Sequence, residues 1–557
     1  MSRDLAARIR PESRDASVPP PSGAPPRRRR GHRPRARAPR APFTLPLLPA
    51  LLLSVLSGWI YSFAFPAPNV WILAFVGVGG LLAALRGRGF WSGTLVAFAG
   101  GLAFWFSLIG WVTLFLGAAP LLALGTLEAL FMGLGGGLVA LVYRSVPLLW
   151  GSRWGRVGLA PLLVAAAWTS REVVSGTFPY GGFAWGRMAL SQSTSPFAPL
   201  AAWFGLSGLS FALAWLTALA LACLVEPRGG FAPIERPRAG EHLVPRLLAV
   251  AVAAGLLLAI PPFRPTEAGV LRITAVQPDT HAGYFDPKNV PADNLAATAT
   301  ASLKAIGSGT QLVVWPEGAS ESDPFTDPRI LQTFNSVSVL TGAPLLAGAI
   351  TQRDGRYYNS SLLWRPNQGT AAIYDKVHPV PFGEYVPDRA FWTPFAPDLL
   401  KLIGRDYTPG TRSSVMKVGT ASIGVDICFD IVDDGLITGS VADGAQVLVA
   451  QTNNADFGHT EENQQQLAIA RLRAIETGRS VVSVSTVAST TFLDPTGATV
   501  YAAPGFRSDV HTDAVPLAVG ITPAVAFGVG VGAAIAVLGG VLPLLTALVA
   551  RPLRRRR

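Results

Sequence analysis

The sequence predicts an α-helical membrane bundle of about eight spans joined to an exported α/β domain, and three observations carry that prediction. Half of the 557 residues are hydrophobic, only 14% are charged, and mean hydropathy is +0.38; an ordinary soluble chain carries roughly 25% charged residues. Apolar runs long enough for a bilayer, which takes ~20 residues per helix, recur through the first half and again near the end. Between them, residues 263–515 change to short β-rich runs separated by polar helical stretches.

The net charge of +12 belongs to tails and short loops. Residues 1–40 hold 12 Lys and Arg against 3 Asp and Glu, whereas residues 263–515 hold 18 against 26. A nucleic-acid binder concentrates basic charge on its folded domain, so nucleic acid is excluded as a partner. The two cysteines, Cys223 and Cys428, lie too far apart for a zinc spacing or a disulfide scaffold, and neither metal nor cofactor is expected. The apolar content also excludes a disordered chain.

The expected spans are roughly 44–65, 69–85, 91–114, 120–142, 157–175, 198–225, 243–262 and 521–550. The chain then divides into a basic tail (1–42), seven spans (43–262), an exported catalytic domain (263–515), an eighth span (516–550) and a second basic tail (551–557). Orientation follows arginine placement. Arg27, Arg28, Arg29, Arg30, Arg33, Arg35, Arg37 and Arg40 precede the first span. Arg86 and Arg88 lie in the second loop, Arg144, Arg153 and Arg156 in the fourth, and Arg228, Arg236, Arg238 and Arg246 in the sixth; Arg554, Arg555, Arg556 and Arg557 close the chain. The loops near 66–68 and 115–119 carry no charge. This alternation puts both termini in the cytoplasm and residues 263–515 outside. A cleaved signal peptide is not expected, because the first apolar stretch exceeds a typical h-region.

Glu128 falls inside the fourth span, where an ionisable residue is a functional candidate by default, with a bundle-facing hydrogen bond as the plain alternative. Arg171 and Glu172 fall near a span end. The segment 176–197, with Phe178, Tyr180, Phe183 and Trp185, lies on the exported side. Its aromatics either line a lipid entrance or serve as ordinary interfacial anchors.

In the exported block, strands are expected at 271–277, 312–315, 344–350, 359–364, 422–427, 447–451 and 481–486, with a helix over 461–478. Short β-branched apolar runs such as 423–427 read as central strands covered on both faces, and their alternation with helices argues for an α/β domain. Glu317, Lys376 and Cys428 stand at strand ends, where open α/β sheets collect their sites. Each alone has a bland explanation, but together they make chemical sense. A thiol is a strong nucleophile only as thiolate; a Glu can take its proton, and a Lys can stabilise both thiolate and oxyanion. A histidine-dependent triad is the weaker reading, since only His378 and His459 lie in motif-like surroundings.

The order Trp-Pro-Glu (315–317), then the string from Asp375 and Lys376 to Pro387, then Asp-Ile-Cys-Phe-Asp (426–430) resembles the nitrilase superfamily. The Lys376–Pro387 string, on a chain with seven spans before its exported domain and one after, is similar to the apolipoprotein N-acyltransferase family. The resemblance covers about residues 43–550. It implies a nitrilase-like αββα sandwich with Glu317 as general base, Lys376 as oxyanion-stabilising cation, Cys428 as nucleophile and Glu384 as a second acidic residue. Phe429 and Asp430 stand where the family often has Tyr and Glu, and Phe285 stands where a family Trp faces lipid. The implied reaction moves an acyl chain from a phospholipid, through a thioester, to the α-amine of a diacylglyceryl-cysteine apolipoprotein. The implied setting is a bacterial cell membrane, with the enzyme a monomer. A membrane-tethered amidase with the same triad is the alternative. A transporter with an exported binding domain is the distant third.

Overall fold

The computed structural model describes residues 44–225, 243–284 and 286–555. The basic tail 1–42, the loop arginines Arg228, Arg236 and Arg238, Phe285, Arg556 and Arg557 lie outside the described residues.

Apolar helices occupy all eight expected stretches. Five are long and apolar enough to cross a membrane: Phe90–Leu108, Ala118–Leu149, Trp154–Ser175, Ala198–Val225 and Pro523–Leu553. Leu47–Ser62, Leu73–Leu85 and Val244–Leu258 are shorter. Small residues set how closely the helices approach. A Cβ on Gly58 would stand 2.0 Å from the carbonyl oxygen of Gly100 in the neighbouring helix, and Ser54 Oγ donates to Val96 O across the same seam at 2.6 Å. The last helix joins this bundle in the same way, with Ser170 Oγ donating to Ala536 O at 2.7 Å.

Glu128 is buried and faces Arg171 and Ser175 on the neighbouring helix. Arg171 and Glu172 are buried too, paired at 3.1 Å. Glu172 Oε1 also accepts from Trp168 Nε1 and from the backbone N–H of Met188. The pair therefore ties a helix end to the segment that follows it.

Twelve strands form the α/β domain: β1 (Thr266–Gln277), β2 (Leu312–Val314), β3 (Leu345–Arg353), β4 (Arg356–Arg365), β5 (Gly369–Asp375), β6 (Val415–Val418), β7 (Ala421–Ile427), β8 (Val447–Thr452), β9 (Val481–Ser485), β10 (Thr491–Leu493), β11 (Thr499–Ala502) and β12 (Asp509–Val519). They build two six-stranded sheets, ordered β12-β1-β2-β3-β4-β5 and β11-β10-β9-β8-β7-β6. Ile273, Val314 and Leu346 of the first sheet meet Val425, Val449 and Val484 of the second in one apolar core. Helices Pro291–Ser302 and Pro328–Thr341 cover the first sheet through Phe334, Val337 and Trp315. Helices Asp434–Ala442 and Glu462–Thr477 cover the second, and their apolar faces share a core with the bundle. The layer order is αββα.

Two expectations need correction. β12 runs to Val519 and the last helix starts at Pro523, so the break lies at 520–522 and not after 515; β12 is half-buried and mostly polar over its first five residues and becomes apolar only towards its end, which runs it into the last helix in a hydropathy reading. β5, β6, β10, β11 and β12 were not expected, because they lie at or next to sheet edges and carry polar residues. The expected helix over 461–478 is Glu462–Thr477, stopped by Gly478 in the left-handed conformation.

Overpacking a close seam costs about 1–3 kcal/mol. Gly58→Ala is expected to lower the thermal midpoint in detergent clearly, whereas Gly255→Ala, with nothing within 4 Å of its Cβ position, is expected to leave it unchanged or slightly raised.

Candidate active site

Three strand ends bring the candidate residues together. Glu317 follows β2 past Trp315 and Pro316, Lys376 directly follows β5, and Cys428 directly follows β7 and opens the 3-10 turn Cys428–Val432. β3 passes very close to the Glu317 turn: a Cβ on Gly348 would stand 2.3 Å from Pro316 O and 2.8 Å from Glu317 Cα. Cys428 has a φ of +52°, a left-handed conformation that costs a non-glycine residue of order 1–3 kcal/mol. It turns the chain sharply from strand to turn at the thiol.

The polar groups around Lys376 are fully engaged. Its side chain is 1% exposed, with Nζ 2.8 Å from Glu384 Oε2 and 3.3 Å from Glu317 Oε1. Asn359 Nδ2 donates to Glu317 Oε1 at 2.8 Å and to Glu384 Oε1 at 2.9 Å, bridging the two carboxylates. Backbone N–H groups complete the pair: Asn453 N donates to the remaining oxygen, Glu317 Oε2, and Val380 N to Glu384 Oε2, which also faces the ammonium. Burial by itself would pull the Lys376 ammonium down, but Glu317 and Glu384 overcome it and hold it well above the ordinary value. Burial pushes the Cys428 thiol up and Glu317 adds to this, with Lys376 opposing, so it stays well above the usual range. The resting thiol is therefore neutral. A sulfur nucleophile arises here only as its proton moves to a base at the site.

Asp430 and Phe429 extend this arrangement in different directions. Asp430 Oδ2 accepts the Tyr374 hydroxyl at 2.7 Å, and Oδ1 accepts the His378 backbone N–H at 2.8 Å. Tyr374 and His378 lie two positions either side of Lys376, so Asp430 locks the lysine segment onto the cysteine turn. Burial pushes its carboxyl up, with Lys376 and Tyr374 opposing. Phe429 stacks within 10° of the Phe183 and Trp185 rings, at centroid distances of 6.1 and 6.4 Å. Segment 176–197 is thus split: Phe183 and Trp185 pack on the residue after the cysteine, while Phe178 stays exposed.

Several residues in this web were not singled out from sequence: Asn359, Asn453, Gln465, Gln466 and Arg473. Gln465 Oε1 accepts from Trp185 Nε1 at 2.6 Å and Trp111 Nε1 at 3.1 Å, and its Nε2 donates to Leu108 O and Pro66 O. One amide therefore fastens three segments of the bundle to helix Glu462–Thr477. Arg473 donates to Ile431 O and Val432 O and pairs with Asp434, which also takes Arg187. The paired amides just after β8, Asn453 and Asn454, are a signal that could have pointed to this set. His378 pairs with Asp433 at 3.3 Å, a hydrogen bond that raises its pKa, and His459 packs on the Phe506 ring. Among the described residues, no group of three or more His, Cys, Asp or Glu side chains is placed to hold a metal ion. A separate crevice of about 540 Å³, lined by Asn69, Thr194, His459, Asn463 and Arg471 among others, includes none of Glu317, Lys376 and Cys428.

A carboxylate, an ammonium and a neutral thiol in one buried site suit acyl transfer through a thioester, and the comparisons identify the class of domain that carries them. The carbon-nitrogen hydrolase family model matches residues 272–521, so the twelve-stranded domain is of carbon–nitrogen hydrolase type. The model for the apolipoprotein N-acyltransferase N-terminal domain matches residues 57–219. The chain is 30% identical over 533 residues to an apolipoprotein N-acyltransferase of Mycolicibacterium smegmatis, covering 88% of this chain and 85% of that protein. It is 28% identical over 475 residues to that of Geobacter metallireducens, covering 80% and 85%. Among solved structures it is similar to an amidase from Nesterenkonia sp., 16% identical with a TM-score of 0.35, over 45% of this chain and 92% of that chain. The chain belongs to the apolipoprotein N-acyltransferase family.

The raised thiol pKa has a direct readout. Iodoacetamide labelling of Cys428 in the folded protein is expected to be slow at neutral pH and to accelerate only above pH 9, the ordinary thiol value, because the thiolate fraction grows there. Peptide mass mapping checks this; fast labelling that is flat from pH 6 to 8 contradicts it.

Proposed function

We propose that this protein N-acylates lipoproteins: it moves an acyl chain from a membrane phospholipid to the α-amine of an S-diacylglyceryl-cysteine at a lipoprotein's N-terminus. The observation that carries this reading is the joining of a carbon–nitrogen hydrolase-type domain to an apolar bundle within one family, with Glu317, Lys376 and Cys428 brought together at strand ends of that domain. Both substrates are anchored by acyl chains. A site reached from the bilayer surface is therefore what the reaction needs, and the Phe183–Trp185–Phe429 stack supplies apolar wall beside the sulfur.

In the first half-reaction Glu317 takes the Cys428 proton as sulfur attacks the ester carbonyl. The oxyanion that forms is stabilised by Lys376, and its collapse breaks the C–O bond. The lysophospholipid oxygen leaves with the proton from Glu317, and the acyl group stays on sulfur. In the second half-reaction the acceptor amine attacks the thioester and gives its proton to Glu317. A C–N bond forms, the S–C bond breaks, and sulfur recovers the proton. Net, an ester and an amine become an amide and an alcohol. Glu384 holds the Lys376 ammonium in place, Asp430 positions the Lys376 segment, and Phe429 continues the apolar wall. Water kept off the thioester preserves it for the amine.

The arginine alternation supports eight crossings, with both termini cytoplasmic and the α/β domain on the outer face of a bacterial cell membrane; the three shorter helices then cross within a locally thinned or tilted arrangement. The same reading takes the enzyme as a monomer.

The experiment supplies phospholipid and a diacylglyceryl-cysteine peptide to the purified protein and follows peptide mass. The peptide is expected to gain one acyl chain on its α-amine. Loss of an electrostatic donor typically costs ~10²–10³ in rate, so Glu317→Gln and Lys376→Met are each expected to fall at least that far, with Glu384→Ala strongly reduced but still membrane-inserted. Release of free fatty acid with an unmodified peptide would favour a hydrolase.

A further inference from the structure

One side chain outside the assigned set touches the sulfur. Gln466 Nε2 lies 3.8 Å from Cys428 Sγ as a donor. Gln466 is buried on helix Glu462–Thr477, one position from the Gln465 that fastens the bundle. Its amide is not free to flip, because its Oε1 accepts from Asn454 Nδ2 at 2.9 Å. The NH2 end is therefore the end that faces the sulfur.

Asn454 is fixed in turn, from both sides. Its Oδ1 accepts the hydroxyls of Thr452 at 2.8 Å and Ser485 at 2.6 Å. Its Nδ2 also donates to Glu462 Oε2 at 2.9 Å. With the Thr452 and Ser485 hydroxyls on its oxygen and the Gln466 and Glu462 side-chain oxygens on its NH2, the Asn454 amide is held at both ends. All of these groups are buried, at the ends of β8 and β9 or on the first turns of the helix. Burial pushes Glu462 up to about 8, so at neutral pH it adds little negative charge near the sulfur.

We propose that Gln466 is a further catalytic residue, its amide N–H donating to Cys428 Sγ and stabilising negative sulfur as the thiol proton leaves and again as the thioester breaks, with Asn454 as the positioning residue that aims it. This rests on the assignment of Cys428 as nucleophile. The site explains why such a donor is useful. Burial and two carboxylates oppose a thiolate, and the one nearby cation, Lys376, is already held between those carboxylates. A neutral amide stabilises charge on sulfur without bringing a further counter-ion into the site. In the first half-reaction the S–H bond breaks towards Glu317 while the S–C bond forms; in the second the S–C bond breaks and its electron pair returns to sulfur. The Gln466 N–H faces that pair both times.

The test uses the full-length protein in detergent with Cys223→Ala, so that one thiol reports. It measures the pH midpoint of Cys428 alkylation by iodoacetamide alongside acyl transfer to the peptide. Gln466→Met keeps the side chain's length without the donor. It is expected to raise the midpoint by about one pH unit, equivalent to a tenfold loss in thiolate equilibrium, and to slow acyl transfer at least tenfold. Gln466→Glu puts a carboxyl against the sulfur and is expected to raise the midpoint further, while Asn454→Ser leaves Gln466 unaimed and shifts it less in the same direction. Three substitutions of different size keep the comparison open if one fails to fold. Midpoints equal to the parent's in both Gln466 variants, with the parent transferring acyl chains normally, would overturn the proposal and leave the Glu317–Lys376–Cys428 reading intact. A parent that transfers no acyl chain would instead overturn that reading, while the alkylation midpoints would still decide whether Gln466 acts on the thiol.

Discussion

A lysine ammonium sealed between two carboxylates is the interaction on which the rest of the site depends. Isolating an ammonium from water costs several kcal/mol even after relaxation, and Lys376 is affordable at 1% exposure only because Glu384 and Glu317 lie 2.8 and 3.3 Å away. Asn359 and two backbone N–H groups then complete the hydrogen bonding of both carboxylates. Removing either acid leaves a buried charge under-compensated, so the group behaves as one unit. The same balance decides the state of the sulfur. With two carboxylates against one ammonium, the resting site disfavours a thiolate on balance, and Cys428 waits as a thiol until a proton can be passed.

Holding that group in register takes both halves of the molecule. Glu317 and Lys376 come from one sheet and Cys428 from the other, and Gln451 of β8 reaches across to donate to Trp315 O at 2.6 Å beside Glu317. Helix Glu462–Thr477 lies between the second sheet and the apolar bundle and is buried along most of its length. On one side Gln466 contacts Cys428; on another Gln465 and Arg473 grip the bundle and the turn after the cysteine. The same helix thus touches both the bundle and the Cys428 thiol. This shared layer is what joins a soluble-type fold to a membrane surface.

Sequence reading recovered the parts whose physics is local. The strands β1, β2, β3, β4, β7, β8 and β9 lie inside the sheets, and each carries a buried, largely apolar stretch. The four edge strands β5, β6, β11 and β12 escaped because one face or end meets solvent and their patterns turn polar, and β10 is only three residues long. The same logic misplaced the domain break, since β12 pairs with β1 from far along the chain. Glu317, Lys376 and Cys428 stood out in the sequence at strand ends, and Glu384 through the family resemblance alone. Asn359, Gln465 and Gln466 were not, because a polar residue inside a strand or helix gains its meaning only from partners brought by long-range folding. Glu128, conspicuous in sequence, turned out to be buried against Arg171 within the bundle.

The account stands or falls on the thioester. Intact-mass measurement of the purified protein after incubation with phospholipid alone tests it most directly, because no acceptor is present to discharge the intermediate. The account predicts a gain of one acyl chain on Cys428, removed by hydroxylamine and missing in Cys428→Ala. No adduct, an adduct mapped to Cys223, or an adduct lost to free fatty acid as fast as it forms would contradict it.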